Sequence, residues 1–542
     1  ANFTNLGSGT MIISNGTVRT RVLSVGQFSD GLVTLLDGSI LQNGAANSDG
    51  LKLGNHTKGG TGTVVLAHAN ALISMPSNTL VLGNAANTSA RLIISNGTVL
   101  VRDVQTGGSA NSATNSVSEI TILDGSLTTT NVTFQCSVGR STTTRITLDH
   151  PNARLDHPNG DINVACGTNS YASLVMSNGA LTTRSLNLGG YTTGNPPGQY
   201  GEVIMYNATG TLRNKSGTMI WLAGQPNCTG LMVMAHAGSL LDCTNNVLVG
   251  DAGDGTLLVS NGLFKAANIT IASQTGSVGR MVISGGRVEL TNTLTVGNRS
   301  SGSLAISGGE VTATNLVLIG VATNVVSTVE LSGGTLSLYG MASISSFGGS
   351  SNLWLSGGTL AALKNFTNSL TTTLTNSPGP GLFTFSTVHT NTQSGGLTGP
   401  GGLAKAGVGL LRLTQVNDFT GETVVDVGTL GLVTNGSIDN STSITVSAGA
   451  TLNAALRTDR TLTLGAAQTL KGSGTVLGNV TNSGTVAPGA SPGILSVVGD
   501  YNQTGTLAIE LSGTTPGSGH DVLAVASNAV LGGTLTVTTP SF

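Results

Sequence analysis

Apolar and polar residues alternate in short segments along most of this chain, and most of these segments end in a tight turn that contains glycine. Alternation gives a strand one buried face, and Asn-Gly, Asp-Gly and Gly-Gly pairs supply the positive φ values of tight corners. The pattern therefore predicts β-strands separated by sharp corners. One set of these turns ends at Gly16, Gly38, Gly97, Gly125, Gly179, Gly262, Gly286, Gly309, Gly334 and Gly358.

The spacing of the turns indicates a solenoid. From Gly262 to Gly358 the turn glycines recur at intervals of about 24 residues, and a period of this length is typical of stacked repeats. No segment has a sustained apolar pattern at helical spacing, so each coil is predicted to consist of strands alone. The predicted fold is all-β, a right-handed parallel β-helix (β-solenoid) of about 14 or more coils, followed by a further β-rich C-terminal region.

A longer period lies above the short one. The asparagines of four Ser-Asn-Gly turns stand at positions 15, 96, 178 and 261, so each interval is about 82 residues. Three histidines in similar turns, His68, His150 and His236, recur at nearly the same interval. Residues 1–360 are therefore predicted to form one β-helix, whose amino-terminal part repeats a three-coil module of this length.

The sequence changes character after residue 360. Residues 361–400, with Pro378-Gly-Pro-Gly381 and Gly395-Gly396, are predicted to be a junction, and residues 401–542 a separate β-rich region. The C-terminal region contains Gly401-Gly-Leu-Ala-Lys-Ala-Gly-Val-Gly-Leu-Leu-Arg-Leu413, Asn417-Asp-Phe-Thr-Gly421 and Gly499-Asp-Tyr501.

These motifs closely resemble the autotransporter-associated β-strand repeat, also called the passenger-associated transport repeat. The resemblance is specific over about 400–540, and over 1–360 it extends only to a general passenger-type β-helix. It implies export to the bacterial cell surface and a β-helical passenger. Because the sequence stops at Phe542, we expect a passenger without the membrane barrel of true autotransporters.

Composition narrows the classes of protein. Glycine accounts for 79 of 542 residues, charged residues for 8% and aromatic residues for 3%, and the net charge is −2. Such a low charge suits neutral, polar β-faces, and without a basic run nucleic acid is not an expected partner. No stretch of about 18 apolar residues predicts a transmembrane segment. The expected location is extracellular, secreted and associated with the cell surface.

Three groups of residues are candidates for a site. Asp149, His150, Asp156, His157 and Asp161 could form a metal or acid–base site, but two Pro-Asn corners with Asp and His facing water are the favoured interpretation. The histidines at 68, 150 and 236 lie three coils, or about 14 Å, apart, so a duplicated turn residue is favoured over a metal ladder. Asp251 and Asp254 form a single loop, which is weak evidence for calcium. We predict no catalytic, metal or cofactor-binding residue, no cofactor and no enzymatic activity.

The four cysteines are the candidate disulfide residues. Cys136 and Cys166 are separated by about one coil, which stacks them within disulfide reach. Cys228 and Cys243 are closer in sequence and lie within or across one coil. Both bridges are favoured, with buried free thiols as the alternative.

The solenoid ends suggest a function. The segments Asn5–Gly16 and Gly533–Thr539 both read as strands without a cap, and an uncapped β-helix end exposes unpaired backbone groups. The leading hypothesis is a structural protein whose partner is itself, assembling end to end or laterally into a filament or layer. The alternative is a monomeric adhesin-like passenger that binds surface glycans or cells. A β-helical polysaccharide lyase or hydrolase is less favoured, because its clustered carboxylates are missing from the sequence.

Overall fold

The computed structural model describes residues 8–42, 49–55, 59–108, 113–190, 197–213, 217–318, 325–340, 344, 350–377, 381–489 and 491–539. These residues confirm the predicted fold class: the chain is an all-β parallel β-solenoid of about 19 turns. No helix occurs in the described ranges. Two compact units divide the chain; unit 1 is residues 1–291 with 297–303, and unit 2 is residues 292–296 with 304–542.

The strands of the first half of unit 1 include long ones that bend around a corner of the coil. They are β1 Gly9–Thr20, β2 Leu23–Val25, β3 Gly31–Gln42, β4 Asp49–Leu53, β5 Gly60–Leu82, β6 Thr88–Thr106, β7 Val117–Ile122, β8 Gly125–Thr129, β9 Thr133–Gln135, β10 Thr143–Leu148, β11 Arg154–Val164, β12 Tyr171–Met176 and β13 Ala180–Leu188.

Shorter strands follow, up to the region where the two units meet in sequence. They are β14 Tyr200–Met205, β15 Thr209–Leu212, β16 Thr218–Leu222, β17 Thr229–Met234, β18 Leu240–Cys243, β19 Asn246–Val249, β20 Asp254–Val259, β21 Leu263–Ala266, β22 Asn268–Ile271, β23 Val278–Ile283, β24 Arg287–Leu290, β25 Thr293–Val296 and β26 Gly302–Ile306.

The first strands of unit 2 after residue 304 continue the same pattern of short segments. They are β27 Glu310–Ala313, β28 Asn315–Leu318, β29 Val326–Leu331, β30 Thr335–Leu338, β31 Ser350–Leu355, β32 Thr359–Ala362, β33 Thr367–Asn368, β34 Thr372–Leu374, β35 Leu382–Thr387, β36 Thr390–Gln393, β37 Leu397–Thr398, β38 Gly402–Ala406, β39 Leu410–Leu413 and β40 Thr423–Val425.

The remaining strands run to the last described residues. They are β41 Thr429–Leu432, β42 Ser443–Val446, β43 Thr451–Asn453, β44 Thr461–Leu464, β45 Thr469–Gly472, β46 Thr475–Leu477, β47 Asn479–Asn482, β48 Thr485–Pro488, β49 Ile494–Val498, β50 Tyr501–Gln503, β51 Thr506–Glu510, β52 Val522–Val525, β53 Ala529–Val530 and β54 Thr534–Thr538.

Three ladders of parallel strands build the coils of unit 1. The first sheet runs β1-β3-β5-β6-β7-β10-β12-β14-β17-β20-β23. The second sheet runs β6-β8-β11-β13-β15-β18-β21-β24. The third sheet runs β2-β4-β5-β6-β9-β11-β13-β16-β19-β22. Inward side chains stack from coil to coil, as Leu174, Val203, Met232 and Leu257 do, and all four are buried. Their burial supplies the main stabilisation of the solenoid, because apolar area removed from water contributes about 25 cal/mol per Å².

Unit 2 has the same construction. Its sheets include an eight-stranded one in the order β33-β36-β39-β41-β43-β46-β49-β52 and a four-stranded one in the order β44-β47-β50-β53. The described part of residues 361–400, expected to be a junction, contributes the five strands β33 to β37 to parallel ladders. Glycines with positive φ, such as Gly381 and Gly399, turn corners of coils here instead of interrupting them. Residues 378–380 of the Pro-Gly-Pro-Gly segment and residues 1–7 at the amino terminus lie outside the described residues.

Candidate interaction surface

Outward side chains of the first sheet stand in rows, because parallel strands in register place residues of successive coils side by side. One such row runs Arg91, Glu119, Arg145, Ser173, Glu202, Leu231, Thr256 and Arg280. Each member lies about 4.8 Å from the next, the spacing of neighbouring strands. We call this the middle row. The rows two positions before and after it on each strand complete the outer face of the sheet.

The outer face is polar and charged over β6, β7 and β10. The Arg91 Nε lies 2.8 Å from the Glu119 Oε2, and Arg145 is exposed in the next coil. The row two positions further along each strand carries Ile93, Thr121 and Thr147 there. An ion pair beside two threonines and a single isoleucine is an ordinary water-facing β-surface.

Over the next five coils one row of the same face is entirely apolar. The row two positions after the middle row consists of Val175, Ile204, Val233, Leu258 and Val282. All five are partly exposed on the outside of the solenoid, and Leu231 of the middle row lies among them. We call the outward residues of β12, β14, β17, β20 and β23 the apolar face. A contiguous apolar surface on a chain this rich in Thr, Asn and Gly is typical of an interaction site.

Two stacked tyrosines lie at one edge of the apolar face, at the start of its first two strands. The rings of Tyr171 and Tyr200, on neighbouring strands, have centroids 5.5 Å apart and planes 18° apart. Both hydroxyls donate to the carboxylate of Glu202, Tyr171 to Oε1 and Tyr200 to Oε2, the latter at 3.4 Å. Burial of the two hydroxyls, together with the negative charge of Glu202, raises the pKa of both tyrosines. Both hydroxyls therefore stay protonated at neutral pH and hold the carboxylate in place.

Charged residues stand at three separate places on the apolar face. Glu202 is in the second of its five coils and Arg280 in the fifth, both in the middle row, and the exposed Asp254 begins the fourth strand, two positions before that row. Arg280 is exposed. Glu202 and Arg280 are three coils apart, about 14 Å. They do not pair with each other within the chain.

The three turn histidines occupy equivalent structural positions. In each turn the backbone N–H two positions later donates to the histidine Nδ1, from Asn70 to His68 at 3.2 Å, from Asn152 to His150 at 3.2 Å and from Gly238 to His236 at 3.1 Å. Each ring therefore closes its own corner. The contacts agree with the interpretation of a duplicated turn residue.

The Asp149–Asp161 cluster does not converge on one site. Asp149 and His150 face solvent at the first corner, as expected. His157 and Asp161 are instead buried, which corrects the expectation that they face water. The His157 Nδ1 contacts the Thr129 hydroxyl, and its ring meets Phe134 edge-on at 5.7 Å. The corner places these two side chains inside because the strand continues through it as part of β11.

Buried charges of this corner are held locally. Asp161 accepts a hydrogen bond from the Arg184 Nε at 2.9 Å, and Asp103 is paired with the Arg102 Nε at 2.6 Å. Burial lowers the pKa of His157 to about 4, so its ring is neutral at physiological pH. The arrangement stabilises a corner, and its side chains leave no carboxylate pair open to a substrate.

Asp251 and Asp254 also point to different surroundings. The Asp251 side chain is buried in a turn and accepts from the Gln274 Nε2 at 3.2 Å, and burial raises its pKa. Asp254 begins strand β20 and is exposed. Among the described residues, no group of three or more His, Cys, Asp or Glu side chains is arranged to hold a metal ion.

All four cysteines are free thiols in the structure, so the expected disulfides are not formed there. Cys136 and Cys166 are neighbours in adjacent coils, as the spacing indicated, and the Cys166 N–H donates to the Cys136 carbonyl at 3.0 Å. Cys228 and Cys243 differ: the Cys228 Sγ lies 3.6 Å from the Pro226 carbonyl, and the Cys243 Sγ lies 3.7 Å from the Met219 Sδ. Strand β17 separates these two thiols along the chain, since Cys228 precedes β17 and Cys243 ends β18.

Burial makes the thiols unreactive. It raises the pKa of Cys166 to about 12 and that of Cys243 to about 11, and it also raises the pKa of Cys136 and Cys228. A thiol in this state carries almost no thiolate at neutral pH. Cys136, Cys228 and Cys243 therefore act as small apolar core residues, whereas Cys166 is partly exposed.

The apolar face was missed by reasoning from the sequence. Its signal was present, since Val175, Ile204, Val233, Leu258 and Val282 all stand at an outward position in an apolar-rich strand. Only the register shows that they adjoin, because the coils that join them differ in length.

Comparison with known proteins gives no relative. No protein-family model matches the chain, and no curated protein or solved structure matches it significantly. Within the described part of the chain, nothing helical has the length and apolarity that crossing a bilayer requires.

Proposed function

We propose that this chain is an extracellular structural protein of a bacterial surface, which self-associates into a filament or layer. The apolar face is the observation that carries the proposal. Five coils in succession expose part of a Val, Ile or Leu side chain on one face of the first sheet, and covering such a surface with protein removes apolar area from water. The net charge of −2 means that little general repulsion opposes contact between copies.

End-to-end stacking is a second mode of the same function. Strand β54 is exposed along its length, and Leu535 and Val537 are 62% and 50% exposed. Its backbone and apolar side chains would accept another β coil. Further coils of the same polypeptide would cover strand β54 equally well. The apolar face is therefore the stronger support for self-association.

Membership of the autotransporter-associated repeat class, and with it export to the cell surface, is part of the proposal. It is supported by the roles of the residues that carry the resemblance: Lys405, Asn417 and Phe419 are all fully or almost fully buried. The motif residues thus serve coil construction, which suits a repeat that recurs in stacked passengers.

Electron microscopy and sedimentation of the purified native protein test the proposal. We expect filaments, sheets or discrete oligomers that increase with protein concentration. A protein that stays monomeric up to the highest soluble concentration would contradict it. Immunogold labelling of intact cells tests the location, and label confined to the cell interior would contradict surface export.

An adhesin that binds glycans is the second candidate, favoured by the Tyr171–Tyr200–Glu202 group. Tyrosine rings offer apolar stacking area together with a polar hydroxyl, and a carboxylate accepts hydrogen bonds from sugar hydroxyls. A glycan array distinguishes the two functions. Saturable binding that Tyr200→Ala abolishes, by a protein that does not associate, would favour the adhesin.

A further inference from the structure

We propose that the apolar face pairs with the apolar face of a second copy, in an antiparallel arrangement that brings Glu202 of each copy opposite Arg280 of the other. This inference rests on the proposed function and names the surface and the geometry of self-association. The occupant is a second copy because Glu202 and Arg280 complement each other when the order of the coils is reversed, an arrangement that leaves Asp254 opposite the uncharged Thr229. The apolar area of the face would not by itself identify the binding partner.

A two-fold axis parallel to the strands generates this pairing. Two sheets packed face to face under such an axis keep the position along each strand and reverse the order of the coils. A residue of the middle row then faces the middle row of the other copy. When the axis passes midway between Leu231 and Thr256, the coil of Glu202 lies opposite the coil of Arg280.

The same operation matches the apolar residues. Ile204 lies opposite Val282 of the other copy and Val233 opposite Leu258, so side chains of similar size meet in each layer. By symmetry the interface contains two Glu–Arg pairs, one toward each end. Sheets packed in this way lie about 10 Å apart, a separation that the long Glu and Arg side chains bridge.

The alternative orientation is disfavoured by the same charges. A two-fold axis along the stacking direction keeps the coil order, so Glu202 faces Glu202 and Arg280 faces Arg280. Like charges placed together in a contact that excludes water are unfavourable. The strands that precede β12 in the first sheet would also fit poorly in this orientation, because each would face its own copy. Strands β6, β7 and β10 present the Arg91–Glu119 pair and Arg145.

Charge reversal and charge exchange test the proposal on the native protein. Glu202→Arg and Arg280→Glu are each expected to weaken association at least tenfold, measured by sedimentation velocity over a concentration series. The double variant Glu202→Arg/Arg280→Glu restores the opposite pairing and is expected to associate within about threefold of wild type. Circular dichroism confirms that each variant is folded, which matters for Glu202→Arg because Tyr171 and Tyr200 lose their acceptor.

Arg154→Glu is the matched control. Arg154 is exposed on strand β11 of the second and third sheets, and its reversal changes the net charge as Arg280→Glu does. We expect its association to equal wild type. Leu258→Asp, which puts a charge in the middle of the apolar face, is expected to abolish the dimer.

The outcomes separate this inference from the proposed function. Self-association that is insensitive to both reversals and to Leu258→Asp overturns the antiparallel pairing and leaves the structural function standing. A double variant that fails to associate while each single variant is folded overturns the Glu–Arg pairing. A wild-type protein that never associates overturns both, and glycan binding lost in Leu258→Asp would then assign the face to a glycan.

Discussion

Both units are built from strands with inward apolar side chains, and both turn corners with residues at positive φ, but they differ in how often a buried amide holds a corner. In unit 1 the inward residues form aliphatic and methionine stacks such as Met176, Met205 and Met234. Unit 1 buries amides that bond the backbone at a few places, such as Asn78 and Gln199. In unit 2 such amides recur from coil to coil.

The buried amides of unit 2 bind the backbone from inside. The Asn417 Oδ1 accepts from the Leu397 N–H at 2.9 Å, and its Nδ2 donates to the carbonyls of Gln415 and Ser437 at 2.8 and 2.9 Å. Other side chains that hydrogen-bond the backbone inside unit 2 are Asn368, Gln393, Gln468, Asn482 and Gln503. The asparagine of the Asn417-Asp-Phe-Thr-Gly421 motif thus links its own coil to both neighbouring coils.

Lys405 has a comparable role. It is fully buried, and its Nζ donates to the carbonyls of Ala406, Gly407 and Val427 at 2.8, 2.7 and 3.1 Å. The comparison teaches that a solenoid corner can be fixed by local backbone conformation or by a buried polar side chain. The second solution ties stability to particular residues, because an unsatisfied buried backbone group is costly.

Removing the amide of Asn417 is expected to have the largest effect. Asn417→Ala leaves the buried Leu397 N–H without its acceptor and removes one of the two donors to each of the Gln415 and Ser437 carbonyls, so it should lower the free energy of unfolding by about 4 kcal/mol. The exposed turn residue Asn261 bonds only its own neighbour, the Gly262 N–H, so Asn261→Ala should cost about 0.5 kcal/mol or less. Urea unfolding followed by circular dichroism measures both, and equal losses would erase the distinction between the units.

Acid should destabilise unit 1 through His157. Its pKa is about 4 in the folded chain and about 6.5 when unfolded, so the unfolded state binds the proton more tightly. Stability is complete above pH 6.5 and should fall by about 3 kcal/mol as the pH drops to 4. His157→Gln should flatten this part of the pH profile, whereas His68→Gln, at an exposed turn, should leave it unchanged. An unaltered slope in His157→Gln would contradict the assignment.

Mild alkali should stabilise unit 2 through Lys405. Burial lowers its pKa to about 8, below the ordinary value of 10.5, so the folded state releases the proton first. Stability should therefore rise between pH 8 and 9.5, by about 2 kcal/mol. Lys405→Met should abolish the rise and also lower stability at pH 7, where three carbonyls lose a donor. The exposed Lys471→Met is the control, and a rise that persists in Lys405→Met would contradict the prediction.

The smallest expected effect is the uptake of a thiol label by the folded protein. This measurement reports on unit 1 alone, because all four cysteines belong to it. Without reductant, the folded protein at pH 8 should take up almost no iodoacetamide, because the thiols are buried and protonated. In urea it should take up four labels by mass spectrometry. Two missing labels in urea would indicate that Cys136 and Cys166 are bridged, as their adjacency in the stack permits.

Much of the fold could be predicted from the sequence. The alternation around turns such as Ser260-Asn-Gly262 and the regular return of those turns were enough to predict strands, corners and stacking, because both depend on local chain geometry. The candidate site could not be predicted in this way. Along the chain, the step from Val175 to Ile204 is longer than the step from Leu258 to Val282, so no fixed period aligns the apolar face.

The sequence by itself thus determined which segments become strands, which residues turn the corners and that the chain forms a parallel β-solenoid. The tertiary structure decided which side chains become neighbours: Tyr171 with Tyr200, Cys136 beside Cys166, His157 against Phe134, and Asn417 between two coils. The reason is physical. Strand formation and turns depend on a few adjacent residues, whereas coil-to-coil register depends on the full length of each coil, including its corners, and a shift of a single position moves every side chain to the opposite face.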